Sequence, residues 1–248
     1  MKTIGIIPSR YASTRFPGKP LAVIKGISMI QRVYEQAKKS QKLSKVVVAT
    51  DDDRIYKHVV AFGGEVLMTN ISHSNGTTRC NEVISILEKD GESFDIAVNI
   101  QGDEPYINPV QIDNVVTLFE DERVQISTLA KKISSSDELF NPNVVKVVLD
   151  SENFAMYFSR QSIPMVRDVD SVNWVAKFAF LKHIGIYGYR TSVLNSISSM
   201  HPGKLEQAEK LEQLRWLENG IRVSVDITDY ESIAVDTPDD LLKLETIS

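Results

Sequence analysis

A single cysteine, Cys80, stands among 248 residues, so no disulfide can form within the chain and a reducing compartment is expected. No apolar run approaches the roughly 18 residues that a membrane-crossing helix needs. The apolar stretch after Met1 and Lys2 ends at Pro8, too early for a secretory signal. These readings place the protein in the cytoplasm, away from membranes. Lysine and arginine together number 28 against 33 aspartates and glutamates, which argues against a general nucleic-acid binder. GxGxxG is absent, and so is the Walker pattern, because Gly18-Lys19 is followed by Pro20 rather than by Ser or Thr. HExxH and GxSxG are absent too, and His58, His73, His183 and His201 show no metal spacing, which argues against a zinc site or a nucleophile elbow.

Acidic residues are also missing from the opening of the chain. The first 34 residues contain no Asp or Glu but hold Lys2, Arg10, Arg15, Lys19, Lys25 and Arg32, a charge of +6, so the remainder carries −11 of the net −5. A basic opening on an acidic protein fits a local anion site, or a chance cluster of solvated cations. With 42% apolar residues, the chain has ample material for a core and is not disordered.

Strand and helix patterns alternate through the first half. Apolar runs at 3–7, 45–50, 65–68 and 95–100 read as buried strands. Helices are predicted from Ser28 onward, after Asp51 or Asp52, across Cys80, Val83, Ile84 and Leu87, and from Pro109. This repetition predicts an α/β fold with a doubly wound, mostly parallel sheet. In the second half, strands are expected at 144–149, 155–159, 184–189 and 221–227. A long helix is expected over 205–219 and a last one at Pro238, capped by Thr237. The whole chain, 1–248, reads as a single domain, extended by a small α+β subdomain roughly within 140–230.

Chemistry concentrates where the strands end. The loop from Pro8 to Pro20 follows the first strand, at the sheet edge where ligands of open α/β folds bind. Arg10, Arg15 and Lys19 on it suit a polyphosphate, since Arg offers forked donors and Lys a compact charge. Gln101-Gly102-Asp103-Glu104-Pro105 follows the fourth strand. Its acids either cap the next helix or face the basic loop through Mg²⁺, which combines one or two carboxylates with phosphate oxygens and water. Thr237, Asp239 and Asp240 are explained by the start of the last helix, which leaves Asp236 free for a metal. On the strand at 183–190, His183, Gly185, Tyr187 and Tyr189 share a side, a face that suits a sugar or an ordinary half-buried sheet.

Taken together, IPSRYASTRFPGKPL at 7–21, VVVATDD at 46–52, NGTTR at 75–79, NIQGDEP at 99–105, NPNVVKVVLD at 141–150, YFSR with IP at 157–164, HIGIYGYR at 183–190, LEQLR at 211–215 and VDTPDDL at 235–241 closely resemble one family, the 3-deoxy-manno-octulosonate (Kdo) cytidylyltransferases. The resemblance runs in order over almost the full length. It implies the fold of the nucleotide-diphospho-sugar transferases and the reaction of CTP with Kdo to give CMP-Kdo and pyrophosphate, for lipopolysaccharide biosynthesis. A related acid sugar, of the amino-Kdo or sialic acid type, is the alternative. The resemblance further implies a cytoplasmic location, Mg²⁺ and a homodimer. Carried over by position, Pro8, Arg10, Arg15, Lys19, Ser74 and Gly76 would bind nucleotide. Asp103 and Asp236 would bind metal, with Lys19 and Arg15 beside them in catalysis. Arg79, Gln101, His183, Tyr187, Glu212 and Gln213 would bind sugar. Thr78 departs from the family, which often has an acid there.

Overall fold

The first strand, β1 (Thr3–Ser9), has six of its seven residues buried and alternates its apolar side chains between two cores. Ile4 and Ile6 pack on one face and Ile7 on the other, so helices must cover both sides. The computed structural model describes residues 1–12, 16–231 and 233–247. After β1 come a small hairpin, β2 (Val23–Ile24) and β3 (Ile27–Ser28), helix α1 (Met29–Ala37), β4 (Lys45–Thr50), α2 (Asp53–Ala61), β5 (Val66–Met68), α3 (Gly76–Lys89), β6 (Ile96–Asn99) and α4 (Pro109–Thr117). The second half contains β7 (Ile126–Lys132), α5 (Ser136–Phe140), β8 (Lys146–Leu149), β9 (Ala155–Ser159), α6 (Trp174–Lys177), β10 (Leu181–Arg190), α7 (Thr191–Ser198), α8 (Lys204–Glu209), α9 (Gln213–Glu218), β11 (Val223–Ile227) and α10 (Pro238–Ile247). Among the described residues, no helix is long and apolar enough to cross a membrane.

The main sheet runs β11-β7-β10-β6-β1-β4-β5, with β8 and β9 continuing beside β10. The pairs β1–β4, β1–β6, β4–β5 and β7–β11 are parallel, and β10 is antiparallel to β6, β7 and β8. The expected doubly wound, mostly parallel α/β sheet is therefore present. Residues of α3, α7 and α9 fill one core, and those of α1, α2 and α4 fill the other. Each fully buried Ile or Leu contributes about 1.5–3 kcal/mol. Cys80 sits wholly inside the first core and burial pushes its thiol far up, so it is an inert apolar residue. Ser28 caps α1 by accepting from Gln31 N at 3.3 Å, and Asp52 caps α2 by accepting from Arg54 N at 2.9 Å.

Two elements differ from the sequence reading. Strand β7 lies inside the sheet, between β11 and β10, although its pattern gives no strand signal. Its buried Ser127 and Thr128 interrupt the apolar run, and they are satisfied by donating to Val115 O and Ile186 O at 2.9 and 2.7 Å. The helix expected over 205–219 is two helices, broken at Lys210, whose backbone is left-handed at φ 55°. Glu209 is drawn away from a continuous helix. Its carboxylate accepts from Ser159 Oγ at 2.7 Å and Arg160 N at 2.9 Å, and its carbonyl accepts from Arg160 Nε at 2.7 Å. Leu205 is consequently exposed, while Leu211 and Leu214 are buried.

Candidate active site

Three remote segments converge beyond the carboxyl end of β1. Gly18 adopts φ 72°, and its N–H donates to Tyr11 O at 2.9 Å, closing the loop. A Cβ at Gly18 would approach the Tyr11 ring to 3.1 Å, so both the backbone and the space require glycine. The turn that follows delivers Lys19, whose Nζ donates to Asp103 Oδ2 at 2.7 Å and to Val235 O at 2.9 Å and lies 3.7 Å from Asp236 Oδ1. The segment after β6 can lie this close to β1 because residue 102 is glycine, where a Cβ would stand 2.8 Å from Pro8 O. Val235 N donates to Asp103 O at 2.9 Å, which ties the chain before α10 to the same place.

Asp103 and Asp236 thus flank one ammonium group, and both are partly exposed. Hard carboxylate oxygens in this number suit Mg²⁺, which leaves its other positions to phosphate and water. Among the described residues, no cluster of three or more His, Cys, Asp or Glu side chains could hold a metal by itself.

Beside this group opens a cleft of about 250 Å³, lined by Pro8, Arg10, Asn75, Gly76, Thr77, Arg79, Asn99, Gln101, Tyr187, Tyr189 and Glu212. Asn75 caps α3 by accepting from Thr78 N at 2.9 Å, so the positive end of the helix borders the cleft. Gly76 allows this approach, because a Cβ there would meet Asn99 Nδ2 at 2.9 Å. Glu212, placed by the break at Lys210, accepts from Asn75 Nδ2 at 2.9 Å and from Thr77 Oγ1 at 3.0 Å. Burial pushes its carboxyl up, against the opposing Thr77 hydrogen bond. Arg79 is held by Asp51 Oδ2 at 2.9 Å and Thr69 Oγ1 at 2.5 Å, and Gln101 Nε2 donates to Gly185 O at 2.7 Å. The Tyr187 and Tyr189 rings stack 6.1 Å apart and both meet Trp216 edge-on.

Of the residues singled out in the sequence, Pro8, Arg10, Gly76, Arg79, Gln101, Tyr187 and Glu212 line this cleft, and Lys19, Asp103 and Asp236 form the adjoining charged group. Three others do not line the cleft. Ser74 is exposed on the loop before Asn75, and Gln213 is buried in the first turn of α9. His183 packs edge-on against Phe158 at 5.1 Å and beside Tyr187 at 5.2 Å, with Nε2 3.0 Å from Thr128 Oγ1. Desolvation pushes it down to about 3, so the imidazole is neutral. Arg15 lies outside the described residues. Asn75, Thr77 and Asn99 were not singled out as site residues, and Tyr189 was named only as part of a strand face that suits a sugar. The usable signal was position: Asn75 and Thr77 flank Gly76, Asn99 ends a strand that abuts β1, and Tyr189 lies one residue before the end of the strand beside it.

Residues 4–227 match the cytidylyltransferase family model. A 3-deoxy-manno-octulosonate cytidylyltransferase from Parabacteroides distasonis is 54% identical over 98% of this chain and 96% of its own length. One from Bacteroides thetaiotaomicron is 51% identical over 99% and 97%. A solved structure of CMP:2-keto-3-deoxy-manno-octonic acid synthetase complexed with CTP superimposes with a TM-score of 0.90 at 39% identity, covering 100% of this chain and 98% of that one. The chain therefore belongs to the 3-deoxy-manno-octulosonate cytidylyltransferase family.

Proposed function

We propose that the protein transfers CMP from CTP to Kdo, releasing pyrophosphate. The observation that carries this reading is the meeting of Lys19, Asp103 and Asp236 beside a polar cleft on a fold shared with a CTP-bound synthetase. The anomeric hydroxyl of Kdo attacks the α-phosphorus in line and pyrophosphate leaves, with no covalent intermediate on the protein. Arg10 and Lys19, with Arg15, offset the triphosphate charge, and Lys19 compensates the charge that develops on the leaving pyrophosphate. Asp103 and Asp236 would hold Mg²⁺, which would neutralise phosphate charge and ease deprotonation of the attacking hydroxyl. Ser74 and the start of α3 meet the cytidine. Arg79, Gln101, Tyr187, His183, Glu212 and Gln213 form the sugar side, through contact or by shaping it. Holding both reactants in register contributes about 7–11 kcal/mol when the geometry is good.

The product feeds lipopolysaccharide assembly, and the enzyme works in the cytoplasm as a homodimer. The dimer is supported by the exposed Phe140, Met156, Met165, Val172 and Phe178 on the 140–230 subdomain, which light scattering of the purified protein tests directly. The reaction is tested by pyrophosphate release with CTP and Mg²⁺ across Kdo, an amino analogue of Kdo and sialic acid. Kdo is expected to be turned over most efficiently. No release with Kdo, or a preference for another sugar, overturns the assignment.

A further inference from the structure

The loop between β5 and α3, residues 69–75, has no regular structure, yet it carries Ser74 and ends in the Asn75 cap beside the cleft. Both of its ends are fastened. Thr69 N and Oγ1 donate to Thr50 O at 2.8 and 3.1 Å, and Asn75 is held by Glu212. The middle of the loop folds back onto α3 through Glu82. Its Oε2 accepts from Asn70 N at 2.8 Å and lies 2.5 Å from His73 Nε2, while Ser72 N donates to Asn70 Oδ1 at 2.9 Å. The carbonyl of His73 then receives Arg10 Nη1 at 3.5 Å. A continuous line of contacts therefore runs from the side of α3, through His73, to the basic loop after β1. Burial pushes the Glu82 carboxyl up, but the Asn70 N–H and His73 outweigh it and hold the group below the usual carboxylate range. Glu82 is thus an ionised acceptor at neutral pH. No step of the proposed reaction uses it.

We propose that Glu82, acting through His73, is a positioning residue for the nucleotide, setting residues 70–74 so that the His73 carbonyl meets Arg10 and the start of α3 is presented to the cytidine. This rests on the reading that the start of α3 and Arg10 receive CTP. A loop fixed only at its ends samples many conformations, and each binding event must then order it. Loss of the tie should therefore weaken CTP and spare the chemical step. In Glu82→Ala, the Kd and KM for CTP are expected to rise about tenfold, the factor that corresponds to about 1.4 kcal/mol. The kcat at saturating CTP and the KM for Kdo should stay near the parent values. Glu82→Gln keeps a carbonyl acceptor for Asn70 N and for a His73 Nε2–H, so it should recover most of the loss. His73→Ala should weaken CTP too, and the double variant should be no worse than Glu82→Ala alone.

Calorimetric CTP binding and steady-state pyrophosphate release read these quantities. An active parent together with an unchanged CTP Kd in Glu82→Ala overturns the tie alone. An equal fall in kcat and in affinity for both substrates also overturns it, since that is the mark of general damage. A parent that neither binds CTP nor releases pyrophosphate overturns the tie together with the reading beneath it.

Discussion

Lys19 and Lys146 are both anchored by oxygen atoms, but the two sites differ in what the oxygens belong to. Lys19, in the first half of the chain, is partly exposed beside the cleft, between two carboxylates. Lys146, in the other half, is fully buried and donates to three backbone carbonyls, Asn141 O at 3.0 Å and Val144 O and Arg160 O at 2.6 Å. Desolvation pushes the Lys146 ammonium down, because neutral carbonyls do not match its charge as carboxylates would. The first arrangement can trade partners when a polyanion and a cation arrive. The second pins the segments around β8 and β9 and has no route to exchange. The difference teaches that a lysine's job follows from the charge and accessibility of its partners.

Four experiments would break or sharpen this comparison. Lys19→Ala should lower kcat/KM by about 10²–10³-fold, the loss seen when a preorganised charge-stabilising donor is removed. The urea midpoint should hardly move, and a variant with full activity would remove Lys19 from the chemistry. Lys146→Met should show the opposite pattern. It leaves three buried carbonyls without their donor and should lower unfolding free energy by about 3 kcal/mol, with kcat/KM per folded molecule retained. Chemical denaturation and an active-site titration separate the two quantities.

His183 extends the contrast to a base that is partly covered and packed between the Phe158 and Tyr187 rings. Its unfolded value is 6.5 and its folded value about 3, so the unfolded chain binds the proton more tightly. Its contribution is complete above pH 6.5 and is lost as pH falls from 6.5 toward 3, reaching about 2 kcal/mol of destabilisation at pH 5. His183→Gln should flatten that part of the stability–pH curve measured by urea unfolding. An unchanged curve would mean that the imidazole is solvated. The smallest effect is expected for Lys42→Ala, whose 2.8 Å pair with Glu120 lies at the surface. Its unfolding free energy should stay within about 0.5 kcal/mol of the parent, a baseline for the larger shifts.

Much of the site was legible because short motifs sit at strand ends. Lys19, Asp103 and Asp236 were readable as one charged group from a basic loop, a QGDEP turn and an aspartate left over from capping. Asn75 and Thr77 were harder. Their place at the cleft is fixed by Glu212, which reaches them across the break at Lys210. That break depends in turn on Glu209 meeting Arg160 across the fold, an interaction without local signature. Strand β7 was hidden for a related reason. Ser127 and Thr128 read as polar interruptions until Val115 and Ile186 supply their acceptors.

The sequence by itself determined the alternation of buried strands and amphipathic helices, the glycines where loops must pass closely, and the kinds of charged groups at the strand ends. Periodicity, backbone freedom and side-chain chemistry are properties of neighbouring residues. Only the tertiary structure decided that β10 runs against its neighbours, that His183 is neutral and packed away from the cleft lining, and that Glu212 bridges to α3. Strand direction, desolvation and long-range hydrogen bonds depend on residues far apart in the chain, and they acquire values only when the fold brings those residues together.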